Sequence, residues 1–152
     1  MRRYLVDTNA LISFVTDRNP EQQEKIAPLF ELAAHMKAVI FCHQHVLTEF
    51  IYVLDRIYHV PKDEIGRMIK DLIEMPGIEV IQEVNFPEIL SWWPDPIPDF
   101  GDALIAAAGK ARSGSMVVTF DGKFAANLKV LGINIHSFEK DNNTPSGHIL
   151  RK

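Results

Sequence analysis

Five short apolar runs, spaced by longer segments of helical character, leave this 152-residue chain few ways to fold. The runs fall at residues 3–6, 38–42, 78–81, 115–120 and 133–136. They are mostly apolar, as strands buried on both faces of a parallel sheet should be. Between them, residues 21–36 carry Ile26, Leu29, Phe30 and Ala33 near helical spacing, and residues 46–58 repeat Val46, Phe50, Leu54 and Ile57. Residues 62–74 follow Pro61 and stop before Pro76-Gly77, while residues 122–131 stop at Gly132. Both are boundary signals for helices. Residues 100–111 are apolar nearly all round, which predicts a helix packed on two sides. Strands alternating with helices predict right-handed crossovers and a three-layer α/β/α domain. One domain is expected over residues 1–138, and the polar residues 139–152, with Pro145 and Gly147, read as a loose tail.

Composition narrows the function. Sixteen Lys and Arg stand against 20 Asp and Glu, a net charge of −4, which excludes nucleic-acid binding through bulk positive charge. Cys42 is the single cysteine, so a disulfide framework and a four-cysteine zinc site are excluded. A lone thiol fits a reducing cytoplasm, where the protein is expected. No apolar run approaches a membrane span or a signal-peptide core.

In open α/β sheets, ligands sit beyond the carboxyl ends of the strands, where the strand order reverses. Two acids stand at such ends: Asp7 after the first run and Asp121 after the fourth. Singly, each reads as a helix cap or a turn residue. Asp102 lies in the first turn of the apolar 100–111 helix, with Asp99 as its cap. No Lys or Arg follows until Lys110, and an ionised carboxylate against protein is costly unless something positive meets it. Glu49 lies at the rim of the apolar face of 46–58, a place that suits a solvated edge or a cleft equally well. Two unit charges 4 Å apart repel by ~4 kcal/mol at an effective dielectric of 20. If the fold gathers these four acids, a divalent cation resolves the conflict, and an all-oxygen site suits Mg²⁺ or Mn²⁺.

The segments VDTNALI (6–12), LTEFIYVL (47–54), DFGDALIAA (99–107) and TFDGKFAANLKVLGI (119–133) occur in this order. With this spacing, the chain from Tyr4 to Ile135 resembles the PIN-domain nucleases, and among them the VapC-like toxins of toxin–antitoxin pairs. The resemblance implies a five-stranded parallel sheet and an acidic pocket holding Mg²⁺ or Mn²⁺ that cleaves RNA endonucleolytically. It implies Asp7, Glu49, Asp102 and Asp121 as the catalytic acids, with Asp7, Asp102 and Asp121 on the metal. Asn9 and Thr119 match supporting positions, and Asp99 is auxiliary, either as cap or as outer contact. It further implies an RNA substrate, a cognate antitoxin and a homodimer. The proline-rich stretch 92–98 departs from the family pattern.

Arg2, Arg3, Arg18, Lys110, Arg112 and Lys123 are candidates to line the approach for RNA, although solvated surface charge is the simpler reading for most of them. Cys42-His43-Gln44-His45 has metal-like residue types, but no fourth ligand is suggested nearby, so a structural role is expected. Trp92 and Trp93 read as packing or interface residues rather than a base-stacking pair. Two other function classes compete. A haloacid-dehalogenase-like phosphatase wants a second Asp two residues after Asp7, where Asn9 stands. A non-catalytic interaction module has no need of the acids, and a stand-alone RNA-processing nuclease is the alternative to a toxin.

Overall fold

The computed structural model describes residues 1–138; the expected tail at 139–152 lies outside the described residues. In chain order the elements are β1 (Arg2–Val6), α1 (Thr8–Val15), α2 (Pro20–Ala34), β2 (Ala38–His43), α3 (Gln44–Arg56) and α4 (Lys62–Glu74). There follow β3 (Ile78–Ile81), α5 (Phe86–Trp92), α6 (Phe100–Ala111), β4 (Ser115–Val118) and α7 (Gly122–Val130). The strands form one parallel sheet in the order β3-β2-β1-β4, with Leu5 paired to Phe41 on one side and to Val117 on the other.

Right-handed crossovers place α1 to α4 over one face and α5 to α7 over the other. The packing agrees. Helix α2 lies on β2, α3 on β2 and α1, and α4 on β3, whereas α6 lies on β4 with α5 beside it. Gly109 lets α6 sit close to the sheet: a Cβ there would stand 2.9 Å from the Val117 side chain. The middle of the sheet is the core. Tyr4, Leu5, Val6, Ile40 and Val118 are fully buried, as are Ala103 and Ala106 of α6. None of the described helices is long and apolar enough to cross a membrane.

Among the described residues the sheet has four strands, not the expected five. Residues 133–136 touch β4 at a single bridge, Val117 with Ile135, through Val117 N–H to Asn134 O and His136 N–H to Val117 O, both 2.9 Å. No ladder extends because β4 itself stops at Val118. Beyond it, the Phe120 amide donates to the Asn9 side chain and the Asp121 amide to the Thr119 hydroxyl. Ile133 is still buried, so the run expected as a strand packs on the core through Ile133 and pairs with β4 only at this bridge. Helix α5 was not apparent from apolar spacing. Its signals are local: Asn85 caps it through the Glu88 amide, with a proline in the first turn.

Candidate active site

The order β3-β2-β1-β4 reverses direction between β1 and β4, since β1 runs on to β2 while β4 pairs on its other edge. Asp7 and Asp121 follow the carboxyl ends of these two strands. Glu49 comes from α3, and Asp99 and Asp102 from the start of α6. All five acids line one cleft of about 370 Å³, together with Thr8, Asn9, Ile12, Arg18, Val53, Ile57 and Tyr58.

Each acid is placed by local chemistry. Asp7 caps α1: Oδ1 accepts from the Thr8 amide at 2.9 Å, and Oδ2 from the Thr119 hydroxyl at 2.8 Å and from Asn9 Nδ2 at 3.2 Å. Asn9 also donates to Thr119 Oγ1 and accepts from the Phe120 amide, so it straps the end of β1 to the end of β4. Asp99 caps α6 through the Asp102 amide, and Asp121 caps α7 through the Lys123 and Phe124 amides. Asn9 and Thr119 thus hold Asp7.

The electrostatics are uneven across the cleft. Burial pushes the Asp7 carboxyl above its ordinary value; the Thr119 and Thr8 hydrogen bonds oppose this, and the charges of Glu49 and Asp121 add to it. Asp102 is pushed up to about 7, first by burial and then by Asp7, Asp99, Asp121 and Glu49. Glu49 goes the other way. His45 Nε2 stands 3.0 Å from Glu49 Oε1, and the Thr8 hydroxyl donates to the same oxygen at 2.9 Å. His45, then Thr8, hold Glu49 below its ordinary value against partial burial, and Glu49 in turn raises His45. Gly101 makes room for the imidazole, since a Cβ there would lie 2.5 Å from His45 Nε2. Sequence reasoning gave His45 only a structural role and passed over Thr8; the i, i+4 spacing of His45 and Glu49 on one helix was the available signal.

Among the described residues, no three His, Cys, Asp or Glu side chains stand close enough together to hold one ion. The acids share a cleft without converging on a point. Their chemistry nonetheless fits a hard cation: the donors are all oxygen, and one carboxyl is forced to about 7. Among the described residues, none of the five acids pairs with Lys or Arg.

The remaining candidates fall outside the cleft. His43 caps α3, accepting from the His45 amide through Nδ1 and donating through Nε2 to Glu83 O, which leaves no nitrogen for a metal. Burial pushes the Cys42 thiol up to about 12, which suits an inert core residue. Trp93 donates to Pro98 O and meets Phe100 edge-on, a packing role. Lys110 pairs with Glu88 and Arg112 with Glu83, away from the acids. Of the six cations considered for the approach, only Arg18 lines the cleft.

Fold and cleft define an α/β domain with an acidic site at its topological switch point. The chain belongs to the PIN domain family, whose profile matches residues 4–128 and whose members are generally nucleases. Solved structures share the fold. VapBC-1 from nontypeable Haemophilus influenzae matches with a TM-score of 0.62 at 16% identity, over 91% of this chain and 99% of that one. PAE2754 from Pyrobaculum aerophilum matches at 0.59 and 18%, over 86% and 92%. The PIN domain endonuclease Utp24 matches at 0.50 and 13%, over 90% and 87%. None of the curated proteins matches the chain by sequence.

Proposed function

We propose that this chain is a metal-dependent endoribonuclease that hydrolyses RNA phosphodiester bonds, and that it serves as the toxin of a toxin–antitoxin pair. The observation that carries the reading is the meeting of acids from four separate segments in one cleft at the switch point, with Asp102 held near neutrality. Asp7, Asp102 and Asp121, which do not converge on one point in this arrangement, would hold Mg²⁺ or Mn²⁺ directly or through water, and the ion when bound supplies Lewis-acid stabilisation of charge developing on the phosphoryl and leaving oxygens. Glu49, kept ionised by His45 and Thr8, accepts the proton of the attacking water. Asn9 and Thr119 fix the Asp7 carboxylate. In-line attack leaves a 5′-phosphate and a 3′-hydroxyl.

The toxin role is supported by the resemblance of the motifs to VapC-like proteins and by the fold likeness to VapBC-1. A homodimer and an antitoxin partner belong to the same reading. In the test, purified protein is incubated with labelled RNA and Mn²⁺. Asp7→Asn abolishes cleavage while its circular dichroism is unchanged; full activity in this variant refutes the assignment. Growth arrest on expression, relieved by co-expressing the product of the adjacent reading frame, separates a toxin from a stand-alone nuclease.

A further inference from the structure

Arg18 stands apart among the residues of the cleft. Among the described residues it is the one Lys or Arg lining it, beside five acids. A mobile arginine would pair with the nearest carboxylate, yet Arg18 makes no ion pair with any described acid. Neutral acceptors hold it instead: Nη2 donates to Ser13 Oγ at 3.0 Å and to Asn9 O at 3.3 Å. Ser13 is fully buried, and its hydroxyl is fixed in turn by donation to Gln22 Oε1 at 2.7 Å. Only Nη2 is used in these bonds. Among the described residues no acceptor takes the other donors of the guanidinium, which are left for an anion, and their fork matches phosphate geometry.

The carboxyl end of α3 supplies a second feature of the same cleft. The Tyr58 amide donates to Val53 O and the Val60 amide to Leu54 O, and His59 adopts φ +54° to close the helix. This turn leaves Ile57 60% and Tyr58 41% exposed, both lining the cleft. Tyr58 has no aromatic partner among the described residues. An acidic cleft repels a phosphodiester, so a substrate that enters it needs a fixed cation and a base platform beside the acids.

We infer that Arg18 and Tyr58 form a nucleotide subsite, in which Arg18 binds a backbone phosphate neighbouring the scissile one and Tyr58 stacks the base. The inference rests on the nuclease reading and names how that site grips its RNA. A base must be unstacked to lie on the tyrosine, so the subsite takes a single-stranded segment.

The test measures binding of a labelled single-stranded oligoribonucleotide by fluorescence anisotropy, with Ca²⁺ in place of Mg²⁺ and across a NaCl series. Arg18→Ala weakens binding about tenfold and lowers the slope of log K against log salt by about 0.7, one phosphate contact on a single strand. Arg18→Lys keeps the slope and recovers part of the affinity. Tyr58→Ala weakens binding by about tenfold with the slope unchanged, and Tyr58→Phe binds as wild type. In cleavage assays Arg18→Ala raises KM and leaves kcat within about threefold, the pattern of lost uniform binding. Wild-type affinity and slope in Arg18→Ala overturn the subsite, and so does a wild type that binds no oligonucleotide. If Arg18→Ala behaves as expected but the wild type cuts no RNA with Mn²⁺, the nuclease reading fails and the subsite stands; if Asp7→Asn still cuts, only the assignment of Asp7 fails.

Discussion

Replacing Asp102 by Asn should stabilise the metal-free protein, against the usual cost of altering a residue at a cleft. Its carboxyl titrates at about 7 in the fold against an ordinary 3.8. A gap of about three pH units corresponds to about 4 kcal/mol at 1.36 kcal/mol per unit. Asp102 is partly exposed, and solvent screening reduces this to about 2 kcal/mol. The sign follows from proton binding. Because the folded-state value is raised, the fold keeps its proton where the unfolded chain has lost it, so stability falls as pH rises from about 4 to 7. The penalty is absent below pH 4 and complete above 7, and asparagine never incurs it. Urea unfolding in EDTA, followed by circular dichroism, reads the difference. At pH 8 the variant is expected to be about 2 kcal/mol more stable, with Tm higher by about 4–8 °C for a chain of this size. At pH 5 about a third of the advantage remains. Millimolar Mn²⁺ reverses the order at pH 8 by stabilising the wild type alone. A variant that is no more stable at pH 8, or whose advantage is the same at both pH values, refutes the electrostatic account.

Three further outcomes are expected. Asn9→Ala removes the strap between β1 and β4 and leaves the Phe120 amide without its acceptor, a loss of about 1–3 kcal/mol in urea unfolding. Gly101→Ala drives a methyl against His45; it lowers stability by about 1–2 kcal/mol and, by parting His45 from Glu49, moves the acid limb of the pH–rate profile to higher pH. Met36 ends α2 at φ +58° and is exposed. Met36→Gly relieves the left-handed strain and raises stability by about 0.5–1 kcal/mol, which calorimetry reads as a higher Tm.

Much of this architecture was written in apolar spacing. Helices α4 and α6 fall where Pro61, Pro76-Gly77 and the apolar run after Asp99 placed them. Four of the five strand runs pair as strands. The fifth did not, because spacing reports burial and Ile133 is buried without a ladder. Nor could spacing show that the chain leaves β4 after Val118: the Phe120 amide turns to the Asn9 side chain and the Asp121 amide to the Thr119 hydroxyl. Helix α5 escaped because its signals are capping residues rather than a periodic stripe.

The cleft was legible in part for the same reason. Asp7, Asp102, Asp121 and Glu49 line it together, and their positions after strands and at helix starts were visible in one dimension. The hydrogen bonds of Asn9 and Thr119 to Asp7, spanning 2 and 112 residues, matched motif positions. Which cation reaches the acids was not legible. Arg18 lies eleven residues from Asp7 in sequence, and its place is set by a buried serine that no charge pattern marks. Lys110 and Arg112, nearer in sequence to Asp102, turn to Glu88 and Glu83 instead.

Three of the cleft's carboxylates also begin helices: Asp7 begins α1, Asp99 begins α6 and Asp121 begins α7. The oxygens that give the cleft its charge are therefore the oxygens that keep three helix ends from fraying. Chemistry and architecture are soldered at the same atoms, and a change that erases one by truncation weakens the other. Asparagine, which starts helices as well as aspartate does but carries no charge, is the residue by which the two can be pulled apart.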